Sequence, residues 1–408
     1  MVIGSTSLQN PHVGILGQLV DGSARVGISL TKPQCLVLLG YMGSGKSYAL
    51  GVLIENALLA APGLIQQERP MAVVAFNFRR NSQARFEYAE FGAPNSKAPE
   101  VQTLREEYGV DPVAIPTVNV LAYAEEIPRR TKDYVGCIPY PIQFRSDELG
   151  AEHWEILMKP PSREAEYMDI VRQIIQRLFY DGELNLANLE RAIETDARFT
   201  SPQRRRAMNR ISFAEQWISD DRQFEWSDLL KEGSLTIVDL RVQSMEANEA
   251  LKICLIVADM VRRQKKRVNR VIVFDEAHEY VDCRELVGEL ENCITQMRHD
   301  GVSFVLASQF PERIPRRIFK YMLTRFIFKL PSTEAVSFVR TAAPNLQGLS
   351  PTQVSNLDLE AGVCFVQSDD ECTPSSLKNP TRIKIRPRLT QHGGATNRQP
   401  GSEAEEDA

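Results

Sequence analysis

The chain is short of the residues that build metal clusters and disulfide frameworks: its 408 residues hold seven cysteines and five histidines. Cys35, Cys137, Cys254, Cys283, Cys293, Cys364 and Cys372 are odd in number and include no C-x-x-C pair, so reduced core thiols are the expectation. His12, His153, His278, His299 and His392 are too scattered for a zinc site. No stretch of about 18 uninterrupted apolar residues occurs. The opening "MVIGSTSLQNPH" has no basic flank leading into an apolar segment. Neither a membrane span nor secretion is indicated, and a cytoplasmic location is expected. The formal charge is only −5, acidic end "SEAEEDA" included. That excludes a globally basic nucleic-acid coat but not local basic runs. Internal repeats and an LSGGQ-type signature are also missing.

What is present points to a nucleotide. The stretch "GYMGSGKS" has the spacing G-x-x-x-x-G-K-S and follows the apolar run "CLVLL", while "SYALGVLIENALLA" behind it has helical periodicity and no proline. A strand, a glycine-rich loop and a helix in that order form a phosphate cradle. Gly43 and Gly45 let backbone N–H groups turn inward where Cβ atoms would clash. Lys46 is then expected to reach the β and γ phosphates, and Ser47 to offer a hydroxyl to Mg²⁺ at the positive end of the helix. The nucleotide-binding segment is read as Gly40, Tyr41, Met42, Gly43, Ser44, Gly45, Lys46, Ser47 and Tyr48, with ATP and Mg²⁺ as cofactors.

At 43% hydrophobic content the chain can bury a large core. Residues 12–34 read as a hairpin leading into the phosphate loop. "MAVVAFNF" and "PTVNVLAY" read as strands around a polar excursion. From 128 to 232 the strand pattern lapses and helical periodicity takes over, at Met168, Val171, Ile174, Ile175 and Leu178 among others. The sheet pattern resumes with "LTIVDL", a helix from about Glu246 to Arg267, "RVIVFDEAH", a further helix, "VSFVLASQ", "TRFIFKL" and "GVCFVQS". Alternating strands and helices predict an α/β fold with a largely parallel, helix-covered sheet. The expected organisation is residues 1–127 for a hairpin and the first part of a nucleotide-binding core, 128–232 for a helical insertion, 233–388 for the rest of the core, and 389–408 for a disordered tail.

The second half carries the complementary chemistry. In "VIVFDEAH" an apolar strand delivers Asp275 and Glu276 to the sheet's C-terminal edge, where α/β sheets bind ligands. Asp275 is expected to hold the metal and Glu276 to polarise the attacking water. Ser308 and Gln309 end the next strand, either as a γ-phosphate sensor or as a simple turn. Asp239 ends its own strand and reads either as support to the site or as a helix cap. Arg298, Arg325 and Arg340 are candidates to reach a neighbouring subunit's γ-phosphate, a contact worth about 10³ to 10⁵ in rate where such fingers operate. For each taken singly, the reading as a surface ion-pair partner outweighs that role. Basic stretches that suit phosphate contacts or a solvated face are Arg79–Arg80, "PQRRRAMNR" (Arg204, Arg205, Arg206, Arg210), "RRQKKR" (262–267) and "ERIPRRIFK" (Arg313, Arg316, Arg317, Lys320).

Together "LVLLGYMGSGKS", "LTIVDL", "RVIVFDEAHEYV", "MRHDGVSFVLASQFPERIPRRIFKYMLTRFIFKL" and "GVCFVQS" resemble the HerA/FtsK superfamily of motor ATPases, the HerA branch most closely. The resemblance covers roughly residues 13–80 and 233–368. It implies a RecA-like P-loop NTPase core and a ring homo-oligomer, usually a hexamer, with ATP between subunits. It also implies DNA translocation, often beside a nuclease; an anti-phage effector is a further candidate partner for such a motor. It assigns Lys46 and Ser47 to phosphate and Mg²⁺, Asp275 and Glu276 to metal and water, Gln309 to sensing, and Arg298 to action in trans. Three features depart from the family: "RHDG" around Arg298 is not the usual arginine-lysine pair, only a short hairpin precedes the phosphate loop where a β-barrel is usual, and Asn77 stands where an aspartate is common. An NTP-dependent scaffold that assembles a partner without moving DNA is the alternative reading.

Overall fold

The computed structural model describes residues 1–5, 12–79, 89–134, 136–137, 139–160, 167–243, 245–264, 268–279, 286–330, 332–355 and 362–393. In chain order the strands are β1 (Val2–Ile3), β2 (Val13–Leu19), β3 (Arg25–Ser29), β4 (Cys35–Leu39), β5 (Ile65–Gln66), β6 (Ala72–Asn77), β7 (Thr117–Ala122), β8 (Pro139–Pro141), β9 (Ser234–Asp239), β10 (Arg270–Asp275), β11 (Val302–Ser308), β12 (Thr324–Ile327), β13 (Val363–Ser368) and β14 (Thr381–Ile385). They join in one sheet of order β1-β3-β2-β14-β13-β12-β4-β11-β10-β6-β9-β7-β8, with β5 pairing β2 at the side. From β12 to β8 every pairing is parallel. From β12 through β13, β14, β2 and β3 every pairing is antiparallel. The protein therefore has the mixed α/β architecture that its strand and helix alternation predicts.

Strands β4, β6, β9, β10 and β11 are buried at every residue, as a parallel sheet covered on both faces requires. Alternation along each strand divides the core. Leu36 and Leu38 of β4 face the helix α1 (Lys46–Leu58), whereas Val37 and Leu39 face the helices Ala247–Arg263 and Val287–His299. The hairpin β2–β3 is not a free entry arm, because β14 ties it to the rest of the sheet.

Residues 128–232 contain the helices Ala151–Met158, Tyr167–Tyr180, Leu186–Thr195 and Ser201–Glu215. They also contain β8, a strand that the lapse of apolar runs hid; it extends the sheet beyond β7. The helices share one hydrophobic core with the sheet through Trp154, Leu157 and Met168. Polar ties reinforce that seam: His153 Nε2 meets Asp259 Oδ2 at 2.8 Å, and Arg210 Nη2 donates to the Leu157 carbonyl at 3.1 Å.

The chain stays packed beyond the expected end at Leu389. Thr390 is fully buried and donates through its N–H and hydroxyl to Glu55 Oε1, at 2.9 and 2.7 Å. Residues 394–408 lie outside the described part. Glu55, on α1, also pairs with Arg386 Nη1 at 2.8 Å and with Arg388 Nε at 3.5 Å, all three side chains being fully buried. Gly51 makes room for this network, since a Cβ there would sit 2.8 Å from the Arg388 guanidinium.

Six cysteines are described and none of them is paired with another; Cys35, Cys254, Cys293 and Cys364 are buried, Cys137 and Cys372 are half-buried, and Cys283 lies outside the described residues. No described helix is long and apolar enough to cross a membrane.

Candidate nucleotide site

Parallel register brings the ends of four strands to one edge. Leu39 of β4 pairs with Ser308 of β11, Phe274 of β10 pairs with Leu306 of β11, and Asp275 pairs with Asn77 of β6. The strand ending in Ser308 and Gln309 thus lies between the strand feeding the phosphate loop and the strand delivering the acids. The strand order puts three distant segments side by side at one edge of the sheet.

The loop after β4 turns at Gly43 and Gly45, with φ of +79° and +93°, values that strain any other residue. Gly40 has a different reason: a Cβ there would lie 2.5 Å from Phe328 and 2.6 Å from the Ser44 hydroxyl. Ser44 Oγ closes the loop on the Tyr41 carbonyl at 2.8 Å. Lys46, Ser47 and Tyr48 form the first turn of α1, while Tyr41 and Met42 are exposed at the rim. The Tyr48 hydroxyl donates to Glu100 Oε2 at 2.7 Å and accepts the Arg388 N–H at 2.8 Å, so it anchors the helix start.

Lys46 is 3% exposed, and its ammonium lies 3.6 Å from Asp275 Oδ1 and 3.4 Å from Glu276 Oε1. Gln309 Nε2 donates to the same Glu276 oxygen at 2.6 Å. Arg79, just past β6, brings Nη2 to 3.7 Å from that oxygen. Spacing alone made Arg79 a candidate for DNA phosphate; the register of β6 against β10 turns it toward Glu276. Its neighbour Arg80 lies outside the described residues. Glu276 has φ +48°, the only positive value at a non-glycine among the described residues. Backbone held in that region costs of order 1–3 kcal/mol and gathers at functional sites. Its N–H donates to Asp275 Oδ1 at 2.9 Å.

The site fits a magnesium nucleotide on its own chemistry. A hydroxyl on Ser47 and a carboxylate on Asp275 are the oxygen donors that Mg²⁺ prefers. Buried Asn77 Nδ2 has no hydrogen-bond partner among the described residues, an arrangement that a bound group or water would satisfy. His278 packs edge-on against Phe310 with ring centroids 4.8 Å apart. Burial pushes its pKa down to about 4, so the ring is neutral near pH 7.

Other candidates sit elsewhere. Arg298 lines a pocket of about 370 Å³ with Cys35, Ile294, Thr295, His299 and Tyr321. Cys35 begins β4, so this pocket is at the opposite edge of the sheet from the phosphate loop; within one chain Arg298 does not meet Lys46 or Glu276. Arg325 is buried against Gln367 Oε1 at 2.7 Å, and Arg340 donates to the Gln347 carbonyl at 3.2 Å. Asp239 caps no helix. It binds Arg241 and the Tyr134 hydroxyl, at 2.6 and 2.8 Å, in a buried knot that also takes Arg130.

The basic runs divide in the same way. Arg204 binds the Asp196 carbonyl at 2.8 Å and Arg210 is buried, leaving Arg205 and Arg206 exposed. Arg262 bridges Asp259 and Asp300, at 2.6 and 2.7 Å, while 265–267 lie outside the described residues. Arg313, Arg316 and Arg317 are exposed and line a groove of about 630 Å³. His153 meets Glu152 and Asp259, with ligand atoms within 4.8 Å of one another. Both carboxylates already bind Arg263, so this is an ion-pair knot, not an open metal site.

Neither a comparison with protein-family models nor one with curated protein sequences returned a match. Solved structures do match. VirB4 of Thermoanaerobacter pseudethanolicus superposes with a TM-score of 0.59 at 12% identity, over 93% of this chain and 98% of that one. The unbound bacterial conjugative coupling protein TrwBdeltaN70 gives 0.56 at 11% identity, over 96% and 92%. The plasmid coupling protein TrwB in complex with ADP and Mg²⁺ gives 0.52 at 14% identity, over 90% and 88%. The likeness spans nearly the whole chain and is one of fold.

Proposed function

We propose, from a fold shared with P-loop ATPases of the FtsK/HerA superfamily, that this chain hydrolyses ATP with Mg²⁺ and serves as the subunit of a HerA-like ring motor that moves DNA. One observation carries the hydrolytic part: Lys46 lies within 3.6 Å of Asp275 and 3.4 Å of Glu276 across a gap of about 230 residues, with Gln309 on the same Glu276 oxygen. In this reading the loop N–H groups and Lys46 bind the phosphates, and Ser47 and Asp275 hold Mg²⁺. The ion, when bound, offsets charge on the phosphate oxygens. Glu276 takes a proton from the attacking water, and Gln309 positions that water or senses the terminal phosphate. Arg298, a strand's length from its own site, is suited to a neighbouring subunit's phosphate and not to its own.

The DNA part draws support from the groove lined by Arg313, Arg316 and Arg317, which begins four residues past Gln309. Such contacts grip phosphates without reading bases and weaken steeply with salt. A nuclease or anti-phage effector belongs to the same proposal as a partner. The scaffold alternative is favoured by one finding, that Arg204, Arg210, Arg262 and Arg325 are spent on internal partners. ATPase rate measured with and without duplex DNA, alongside solution mass, separates the two. A motor hydrolyses faster with DNA and sediments as a ring; a scaffold assembles with ATP and ignores DNA.

A further inference from the structure

Glu276 has two carboxylate oxygens in unlike surroundings. Oε1 is shared by Lys46, Gln309 and Arg79, at 3.4, 2.6 and 3.7 Å. Oε2 is buried with no hydrogen bond among the described residues, and the polar atom that faces it is His278 Nδ1 at 3.4 Å, itself buried and unbonded. The chain brings them together by its own turn: after the left-handed Glu276, a 3₁₀ turn spans Ala277–Glu279, closed by the Glu279 N–H on the Glu276 carbonyl at 2.9 Å. Phe310 then holds the ring from its edge.

A neutral imidazole carries one N–H, and two carboxylates compete for it. His278 Nε2 lies 3.6 Å from Glu279 Oε1, and Glu279 is 31% exposed where Glu276 is 7% exposed. Glu279 can turn to water for its hydrogen bonds; Glu276 Oε2 cannot. The proton therefore belongs on Nδ1, toward Glu276. We propose that His278 is a positioning residue for Glu276, donating from Nδ1 to Oε2 so that Oε1 is the oxygen turned to the attacking water once nucleotide draws Lys46 away. This rests on the ATPase reading above. A base held by one oxygen keeps its other oxygen aimed, and misplacement of about 1 Å costs on the order of 10²-fold in rate.

The test is steady-state ATP hydrolysis by the full chain, with and without duplex DNA, for wild type, Glu276→Gln, His278→Ala, His278→Asn, Glu279→Gln and the double variant Glu276→Gln/His278→Ala. His278→Ala is expected to lower kcat by about 10- to 100-fold with KM unchanged. His278→Asn, whose amide N–H can stand in for Nδ1–H, recovers most of that loss. The double variant is no slower than Glu276→Gln alone, because His278 acts only through Glu276. Should His278→Ala not fold, Glu279→Gln still decides: removing the competing charge leaves turnover at or above wild type, and a tenfold fall overturns the assignment. Normal kcat in His278→Ala, a change in KM alone, or multiplicative loss in the double variant also overturns it. If wild type hydrolyses ATP and Glu276→Gln does not, those results sink this proposal alone. A wild type without hydrolysis sinks the ATPase reading and this proposal with it.

Discussion

Glu276→Gln is expected to keep ATP bound and to lose turnover by about 10² to 10⁴-fold, the range that a positioned general base contributes. The change is nearly isosteric, so the buried space, the φ of +48° and the contact with Gln309 all have an equivalent in the variant. What it removes is a carboxylate able to take a proton. It also removes a negative charge 3.4 Å from the Lys46 ammonium, which leaves that ammonium freer for phosphate. Binding should therefore hold or tighten while hydrolysis stops. Measured together, nucleotide affinity and single-turnover hydrolysis show this split. Hydrolysis at the wild-type rate would mean that another group activates the water.

The second large effect is on stability and lies away from the Lys46–Glu276 cluster. Glu55→Ala leaves Arg386 and Arg388 without their shared carboxylate in a site with no exposure, and breaking a buried ion pair of this kind costs about 3–5 kcal/mol. The exposed Arg69–Glu232 pair, at 2.5 Å, is the internal control: its removal should cost no more than about 1 kcal/mol. Denaturant titration of both variants measures the difference. Burial alone would raise the Glu55 carboxyl, but Arg386, Arg388 and Thr390 outweigh it and hold the pKa below its ordinary 4.5. The sign follows: in acid the unfolded chain takes up this proton first, so the network's stabilisation is present above pH 4.5 and fades as pH falls through the lower folded value. Because Glu55 sits on the helix that starts with Lys46, loosening it should also weaken nucleotide binding.

How much of this was legible depended on whether a signal was local. The phosphate loop announces itself within eight residues, and the runs "VIVFD" and "VSFVLAS" are continuous enough to read as buried strands without tertiary information. Their order in the sheet was not legible. Nothing in "VSFVLASQ" says that it threads between β4 and β10, yet that order is what sets Gln309 on Glu276. Charged residues were the least legible, because a sequence displays a charge and not its partner. "TRIKIRPRLT" has basic residues at alternate positions and nothing in it names their partner; in the fold Arg386 and Arg388 are fully buried against a glutamate some 330 residues away. Asp239 and Arg210 follow the same rule, each committed to a partner from another element. His278 could have been suspected from its place three residues past Asp275, but only the closing turn shows which oxygen it faces.

The most direct test of the central claim, that residues around 46 and 276 form one triphosphate site, is equilibrium binding of ATP in the presence and absence of Mg²⁺ to wild type, Lys46→Ala and Asp275→Asn. Wild type should bind with Mg²⁺. Lys46→Ala should lose about 10²-fold or more in affinity, the scale of removing a buried charge partner worth about 3 kcal/mol. Asp275→Asn should lose the Mg²⁺ dependence. Equal affinity in all three proteins would contradict the account.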